Sequence, residues 1–175
     1  MIIVFTGNGK GKTTAALGQM VRVLGRGKKA LMIQFIKGPW KSGEDEFNEK
    51  FQIPNDKFQI RKMGKGFVGI LGDKLPREEH EQAAYDALIN FKDEYKKGKW
   101  DLIILDEVNV AVSLGLLKVG DVLETIKDFP EDKFLIMTGR NAPAELIHVA
   151  HLVTEMREIK HPFNDGKMGQ IAVEF

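Results

Sequence analysis

The chain has 175 residues, 26 Lys and Arg against 25 Asp and Glu, and no cysteine. Residues 1–175 are enough for a single domain with a sizeable core, and a net charge of +1 leaves no uniform field to hold nucleic acid or an anionic membrane, so any basic site is local. The missing cysteines exclude disulfides and thiolate metal sites and fit a reducing, cytoplasmic compartment.

In chain order, Met1 to Phe5 lacks the basic flank of a signal peptide and reads as the start of a first core strand, 2–6. Gly7-Asn8-Gly9-Lys10-Gly11-Lys12-Thr13-Thr14 follows and runs into a helix predicted over 13–25. Strand, glycine loop and helix are the context a phosphate loop requires. The glycines let backbone N–H groups turn inward onto phosphate oxygens, and the helix start adds partial positive charge. Lys12 would reach the outer phosphates of ATP, and the Thr13 hydroxyl would ligate Mg²⁺. Counting back from Gly11-Lys12-Thr13, the strict pattern wants glycine where Thr6 stands.

Apolar runs at 30–36 and 58–63 read as the second and third strands. Residues 64–75, with four glycines, read as a long mobile loop. A helix is predicted from Pro76 to near Gly98, with Ala84, Ala87, Leu88, Phe91 and Tyr95 on one face. Trp40 and Trp100 flank element ends and read as packing residues. Leu102-Ile103-Ile104-Leu105 is a buried strand ending in Asp106-Glu107, carboxylates that can hold the Mg²⁺ shell directly or through water. Asp121 with Glu124 reads as a capping pair ahead of Val122, Leu123 and Ile126. Residues 134–138 form the last predicted strand, and Asn141 and Pro143 open a short helix through Leu146. No apolar run approaches the length of a spanning helix.

The alternation predicts an α/β fold: one P-loop nucleotide-binding domain with a mostly parallel sheet flanked by helices and right-handed crossovers. The phosphate loop and the acid-tipped strand together predict ATP binding. Residues alone leave the chemistry open among a P-loop kinase or NTPase, a nucleotide-gated binding module and other transfers.

Six segments in order carry a resemblance. They are Thr6 through Thr14, Gln34-Phe35-Ile36-Lys37-Gly38, Leu105-Asp106-Glu107, Thr138-Gly139-Arg140-Asn141-Ala142-Pro143, Leu152-Val153-Thr154-Glu155-Met156 and His161-Pro162-Phe163. Together they resemble the P-loop type of ATP:corrinoid adenosyltransferase, the cob(I)alamin adenosyltransferases of cobalamin biosynthesis and salvage, over residues 2–175. The resemblance implies a RecA-like sheet, a homodimer and an electron-donor protein such as a flavodoxin. It also implies transfer of 5′-deoxyadenosyl from ATP to the cobalt of a reduced corrinoid, with release of triphosphate. Cobalt(I) is the nucleophile, so the protein supplies positioning and charge neutralisation rather than a general base.

By the same match, Gly7, Asn8, Gly9, Lys10, Gly11, Lys12, Thr13 and Thr14 would wrap the triphosphate. Lys12, Arg22, Arg140 and a Mg²⁺ on Thr13, Asp106 and Glu107 would carry charge. Phe67 would press on the lower cobalt face and displace the axial base. Members of the family place a tryptophan two residues later, where this chain has Gly69, with Ile70 or Leu71 beside it to fill the gap. Some members carry an arm before the first strand that covers a neighbour's site; here the residues begin in the strand, which implies that the cover is missing or replaced. None of His80, His148, His151 or His161 stands in an Asp-x-His-x-x-Gly arrangement that would ligate cobalt.

Overall fold

The computed structural model describes residues 1–70 and 72–173. Its elements are β1 (Ile2–Thr6), α1 (Lys12–Gly25), β2 (Ala30–Gln34), α2 (Gly43–Phe51), β3 (Phe58–Lys62), α3 (Arg77–Lys96), β4 (Leu102–Asp106), α4 (Val108–Ser113), α5 (Val119–Ile126), β5 (Phe134–Thr138), α6 (Ala144–Val149) and β6 (Leu152–Glu155), followed by a 3-10 turn at Pro162–Asp165. The strands form one sheet in the order β3-β2-β4-β5-β1-β6, and every neighbouring pair is parallel.

The apolar runs are continuous because both sheet faces are covered. Side chains alternate along each strand, and the two sets bury themselves in two cores. Ile3, Phe5, Met32, Ile104 and Ile136 pack with Ala16 and Met20 of α1 on one face. Val4, Leu31, Ile33, Ile103, Leu105, Leu135 and Met137 pack on the other with α3, α4, α5 and α6, through Ala84, Leu88, Phe91, Ala111, Val122 and Leu146. The predicted face of α3 is therefore the buried one. Edge strand β6 is exposed along its whole length.

Parallel pairing sends all the carboxyl ends to one edge of the sheet. Gln34 lies opposite both Lys62 and Asp106, Phe5 opposite Thr138, and Thr6 opposite Glu155. Loops carrying polar residues leave from this edge, as open α/β sheets require of a ligand site.

The sixth strand β6 and the short helix α4 were not expected from the sequence, and three further features depart from that reading. α2 was not expected because it buries none of its residues, and a helix without a core face has no apolar period to detect. Its start is fixed instead by a capping box in which Asp45 accepts from the backbone N–H of Ser42 at 2.8 Å. Asp121 is not a cap: α5 begins after Lys118, and Asp121 accepts from the Tyr85 hydroxyl at 2.7 Å, tying α5 to α3. Trp100 is buried, but Trp40 is 63% exposed and belongs to neither core.

One ionic cluster locks the far end of α3. Glu94, buried, accepts from the Trp100 indole N–H at 2.7 Å and from Lys97 at 2.8 Å, and it pairs with Arg61 of β3 at 3.1 Å. Burial works against its charge, but the bonds from Lys97, Trp100 and Arg61 outweigh it and bring the pKa from 4.5 down to about 2. A carboxylate depressed on folding stabilises the native state above its unfolded pKa, and that contribution fades as pH falls from 4.5 towards 2. Glu94→Gln is expected to lower the unfolding free energy at neutral pH by roughly 2–4 kcal/mol. The gap to wild type should narrow at about pH 3. Urea unfolding at both pH values checks this, and equal stability at neutral pH would refute it.

Candidate functional site

The phosphate loop owes its shape to the backbone beneath it. Gly9 N donates to Met156 O at 2.7 Å, just past β6. A Cβ on Gly7 would come within 2.4 Å of Met156 O, and one on Gly9 within 2.7 Å of Arg157 C and O. Neither position accepts a side chain. Thr6 departs from the strict pattern for a visible reason: it still belongs to β1, and its hydroxyl accepts from Ala142 N at 3.1 Å. The left-handed turn falls one residue later, on Gly7, with φ +93°. Gly11 caps α1 in a left-handed conformation with no side-chain cap, and the first turn carries no acid. The N–H groups of that turn are thus left to an anion.

Lys12 is buried, and its ammonium donates to the carbonyls of Gly7 and Gly9 at 2.7 Å each. Burial lowers its pKa, Glu107 partly opposes this, and Arg140 lowers it further. Below the loop lies Asp106, with no exposed surface. Its Oδ1 accepts from Thr13 at 2.8 Å and Thr138 at 2.7 Å, and its Oδ2 accepts from Gln34 Nε2 at 3.1 Å. Glu107, the next residue, adopts a left-handed backbone, φ +64°, unusual for a residue with a side chain. Its N–H donates to the Thr138 hydroxyl at 3.0 Å. Burial and then the Asp106 charge push its pKa up to about 7, against the pull of Lys12, Lys37 and Arg140.

These groups border a pocket of about 850 Å³ lined by residues 9–14, Lys37, Glu44, Glu107 and Arg140, and closed on the other side by His161, Phe163, Asn164 and Lys167. The structure thus brings together Gly9, Lys10, Gly11, Lys12, Thr13, Thr14, Glu107 and Arg140. Asp106 sits beneath them, and Gly7 and Asn8 form the rear of the loop. Arg22 does not join them; it lies exposed on the last turn of α1. Phe67 lies 49% exposed on the loop after β3, beside Trp40 rather than in the pocket wall.

That loop is pinned rather than loose along much of its length. Gly64 N donates to Gln34 O at 3.1 Å and Gly66 N to Ile36 O at 2.9 Å. Asp73 accepts from the N–H groups of Gly69 at 2.8 Å and Leu75 at 3.1 Å and meets His80 Nε2 at 3.0 Å. Leu71 lies outside the described residues.

Sequence reasoning missed Gln34, Lys37 and Glu44. Lys37 forms an ion pair with Glu44; burial opposes its charge, but Asp106, Glu44 and Glu107 prevail and raise its pKa. Gln34 and Lys37 stood in a quoted motif without a role, and Glu44 gave no signal because α2 itself was unseen.

The donor set fits a magnesium ion. Thr13 Oγ1 and the carboxylates of Asp106 and Glu107 are hard oxygens. Beside them Gln34 Oε1 is a buried acceptor with no partner among the described residues, suited to a water of the ion's shell. Among the described residues no cluster of three His, Cys, Asp or Glu side chains could hold a metal unaided. An ion that keeps its waters and arrives with phosphates needs none.

A family model described as ATP:corrinoid adenosyltransferase BtuR/CobO/CobP matches residues 1–175. The sequence is 35% identical to a corrinoid adenosyltransferase of Escherichia coli (strain K12) over 175 residues, covering 100% of this chain and 85% of that protein. It is 37% identical to a corrinoid adenosyltransferase of Sinorhizobium sp over 176 residues, covering 100% and 80%. It is 34% identical to the corrinoid adenosyltransferase CobA of Salmonella typhimurium over 175 residues, covering 100% and 85%.

The close approach beneath the loop generates a prediction. Gly9→Ala has no room against a backbone carbonyl and must displace the cradle. It is expected to cost roughly 1–3 kcal/mol of stability and to weaken ATP binding at least about 10-fold. Calorimetric titration with ATP decides it, and wild-type affinity in the variant would show that the cradle does not depend on this contact.

Proposed function

The chain belongs to the ATP:corrinoid adenosyltransferase family and is a corrinoid adenosyltransferase, and from that premise we propose how its own residues carry the transfer of 5′-deoxyadenosyl from ATP to the cobalt of a reduced corrinoid. Cobalt(I) donates an electron pair to the ribose 5′ carbon, the carbon–oxygen bond to the α-phosphate breaks, and inorganic triphosphate leaves with that bond's electrons. No proton needs to move at the reacting carbon, so no side chain serves as base or nucleophile.

What the protein supplies is a mould for the leaving group. The N–H groups of the loop and of the α1 start receive phosphate oxygens, and Lys12 leaves its loop carbonyls to meet the added charge. Arg140 adds a second cation to the pocket lining. Asp106 holds the Thr13 hydroxyl in place, Thr13 and Glu107 line the pocket and would ligate a magnesium ion, and Gln34 Oε1 would accept from its waters. When bound, the ion neutralises phosphate charge. Phe67 meets the corrinoid's lower face in place of the axial base. We carry over from the family resemblance a homodimer, an electron-donating protein such as a flavodoxin and a cytoplasmic location. Among the described residues no helix is long and apolar enough to cross a membrane.

The observation that supports this reading best is the juxtaposition of two unlike surfaces at one sheet edge. The charged phosphate pocket and the apolar loop bearing Phe67 both adjoin the segment after β2, whose Lys37 and Glu44 line the pocket and whose Ile36 carbonyl is bonded to the Phe67 loop. A kinase or hydrolase has no need of the second surface.

Product identity tests the reading. With ATP, Mg²⁺ and chemically reduced cobalamin, phosphorus NMR should show triphosphate without stoichiometric ADP, as the cobalt–carbon chromophore appears. ADP formed at a comparable rate without corrinoid would overturn it in favour of a P-loop kinase or NTPase. Lys12→Ala is expected to cut turnover by at least about 10²-fold, since one charged contact to a leaving group is worth roughly 3 kcal/mol. The melting temperature should fall by no more than a few degrees, as the Gly7 and Gly9 carbonyls lose their donor. Near-normal turnover would show that Lys12 does not hold the triphosphate.

A further inference from the structure

Trp40 is both exposed and fixed, a combination that a core residue or a loose surface side chain does not show. The residue is 63% exposed and Phe67 49%, so the pair leaves an apolar patch in water. The ring centroids lie 6.2 Å apart with planes tilted by 35°, within the range of a favourable aromatic pair. The indole rests on a floor built by two glycines from different loops. A Cβ on Gly38 would come within 2.8 Å of Trp40 Cζ3, and one on Gly66 within 3.0 Å of Cη2 and Cζ3. Gly66 also has φ +109°, which disfavours any side chain there. From below, the Lys62 ammonium bonds both the Trp40 carbonyl and the Asp45 carboxylate, and Gly66 N is bonded to Ile36 O at 2.9 Å.

We propose that Trp40 is a corrinoid-binding residue, the second ring of a two-ring platform for the lower face of the macrocycle, with Phe67 as the first. The inference rests on the adenosyltransferase reading and adds a residue to it. Three observations select this occupant. The patch adjoins the phosphate pocket along the chain: Lys37 and Glu44, on either side of Trp40 in one segment, line that pocket, so a substrate that must meet the ATP 5′ carbon can reach both. Two adjacent rings offer a broad apolar surface suited to the face of a flat macrocycle. Within its own loop Phe67 has no aromatic neighbour two residues on, since Gly69 stands there with φ +69°. The platform is completed across space by the loop after β2.

The test uses the full chain, ATP and cobalt(II) cobalamin as the probe, with Trp40→Phe, Trp40→Leu and Trp40→Ala. Binding is followed by absorbance, and the lower axial base by the nitrogen splitting of the cobalt(II) EPR signal. The proposal expects wild type to lose that splitting on binding. Trp40→Ala and Trp40→Leu should weaken cobalamin binding about 10-fold or more and retain the splitting, while Trp40→Phe recovers most of both. ATP affinity should stay within about 3-fold of wild type in all three, because the phosphate contacts are separate. Trp40→Leu keeps an apolar side chain on the glycine floor, so wild-type cobalamin binding in that variant would overturn the proposal. Parallel loss of ATP affinity, cobalamin affinity and melting temperature would overturn it in favour of a packing role. Unchanged cobalamin binding with altered sedimentation would overturn it by showing a second copy of the chain on the patch. If wild type forms no cobalt–carbon bond with chemically reduced cobalamin, the enzyme reading falls and this inference with it. A reactive wild type with an unaffected Trp40→Ala retires Trp40 alone.

Discussion

The Asp106 carboxylate has no exposed surface, and a buried charge must be met by donors or it is not tolerated. Its donors come from three places in the chain: Thr13 at the start of α1, Gln34 at the end of β2 and Thr138 at the end of β5. Each donor belongs to a segment that borders the pocket. Thr13 is held next to Lys12, Gln34 leads into Lys37, and Thr138 leads through Gly139 into Arg140. The charge demand of one carboxylate thereby sets the mutual placing of the cationic groups. Thr138 extends the arrangement by accepting from the N–H of Glu107, which steadies a residue whose backbone sits in the left-handed region.

A second constraint is the space denied beneath the phosphate loop. The loop lies against main-chain atoms of Met156 and Arg157, which cannot step aside as a flexible side chain would. Edge strand β6 contributes little to either core, being exposed throughout. Its structural value is that it carries this backbone platform to the loop and leads into the segment that closes the pocket. A strand that looks dispensable by burial therefore has a role in the site.

The division of labour follows from the chemistry. Where the substrate brings its own nucleophile, the protein has to stabilise what leaves and align what attacks. The pocket offers backbone N–H groups and cations for the first need; the second is the one we propose for the aromatic loops after β2 and β3. The ion pair of Lys37 with Glu44 stands between the two, where burial would otherwise suppress the lysine's charge and the neighbouring carboxylates preserve it.

The sequence by itself determined the parallel α/β architecture, because strands covered on both faces need unbroken apolar runs, as at Leu31, Ile33, Ile103 and Leu105. It also determined the phosphate loop and the acid-tipped strand, whose chemistry is written in contiguous residues. What it could not carry were elements without a core face and contacts between distant segments. Helix α2 buries nothing, so no period betrayed it, and Glu44 was lost with it. Asp121 has the composition of a cap, yet its partner is the Tyr85 hydroxyl on another helix. Arg22 was drawn toward the site by resemblance, and only the length of α1 shows that it stands at the opposite end. Trp40 reads in sequence as a packing residue at an element's edge. Tertiary structure set it, exposed, against Phe67, because the room for its ring comes from Gly38 and Gly66, two glycines in separate loops that meet only when β2 and β3 pair in parallel.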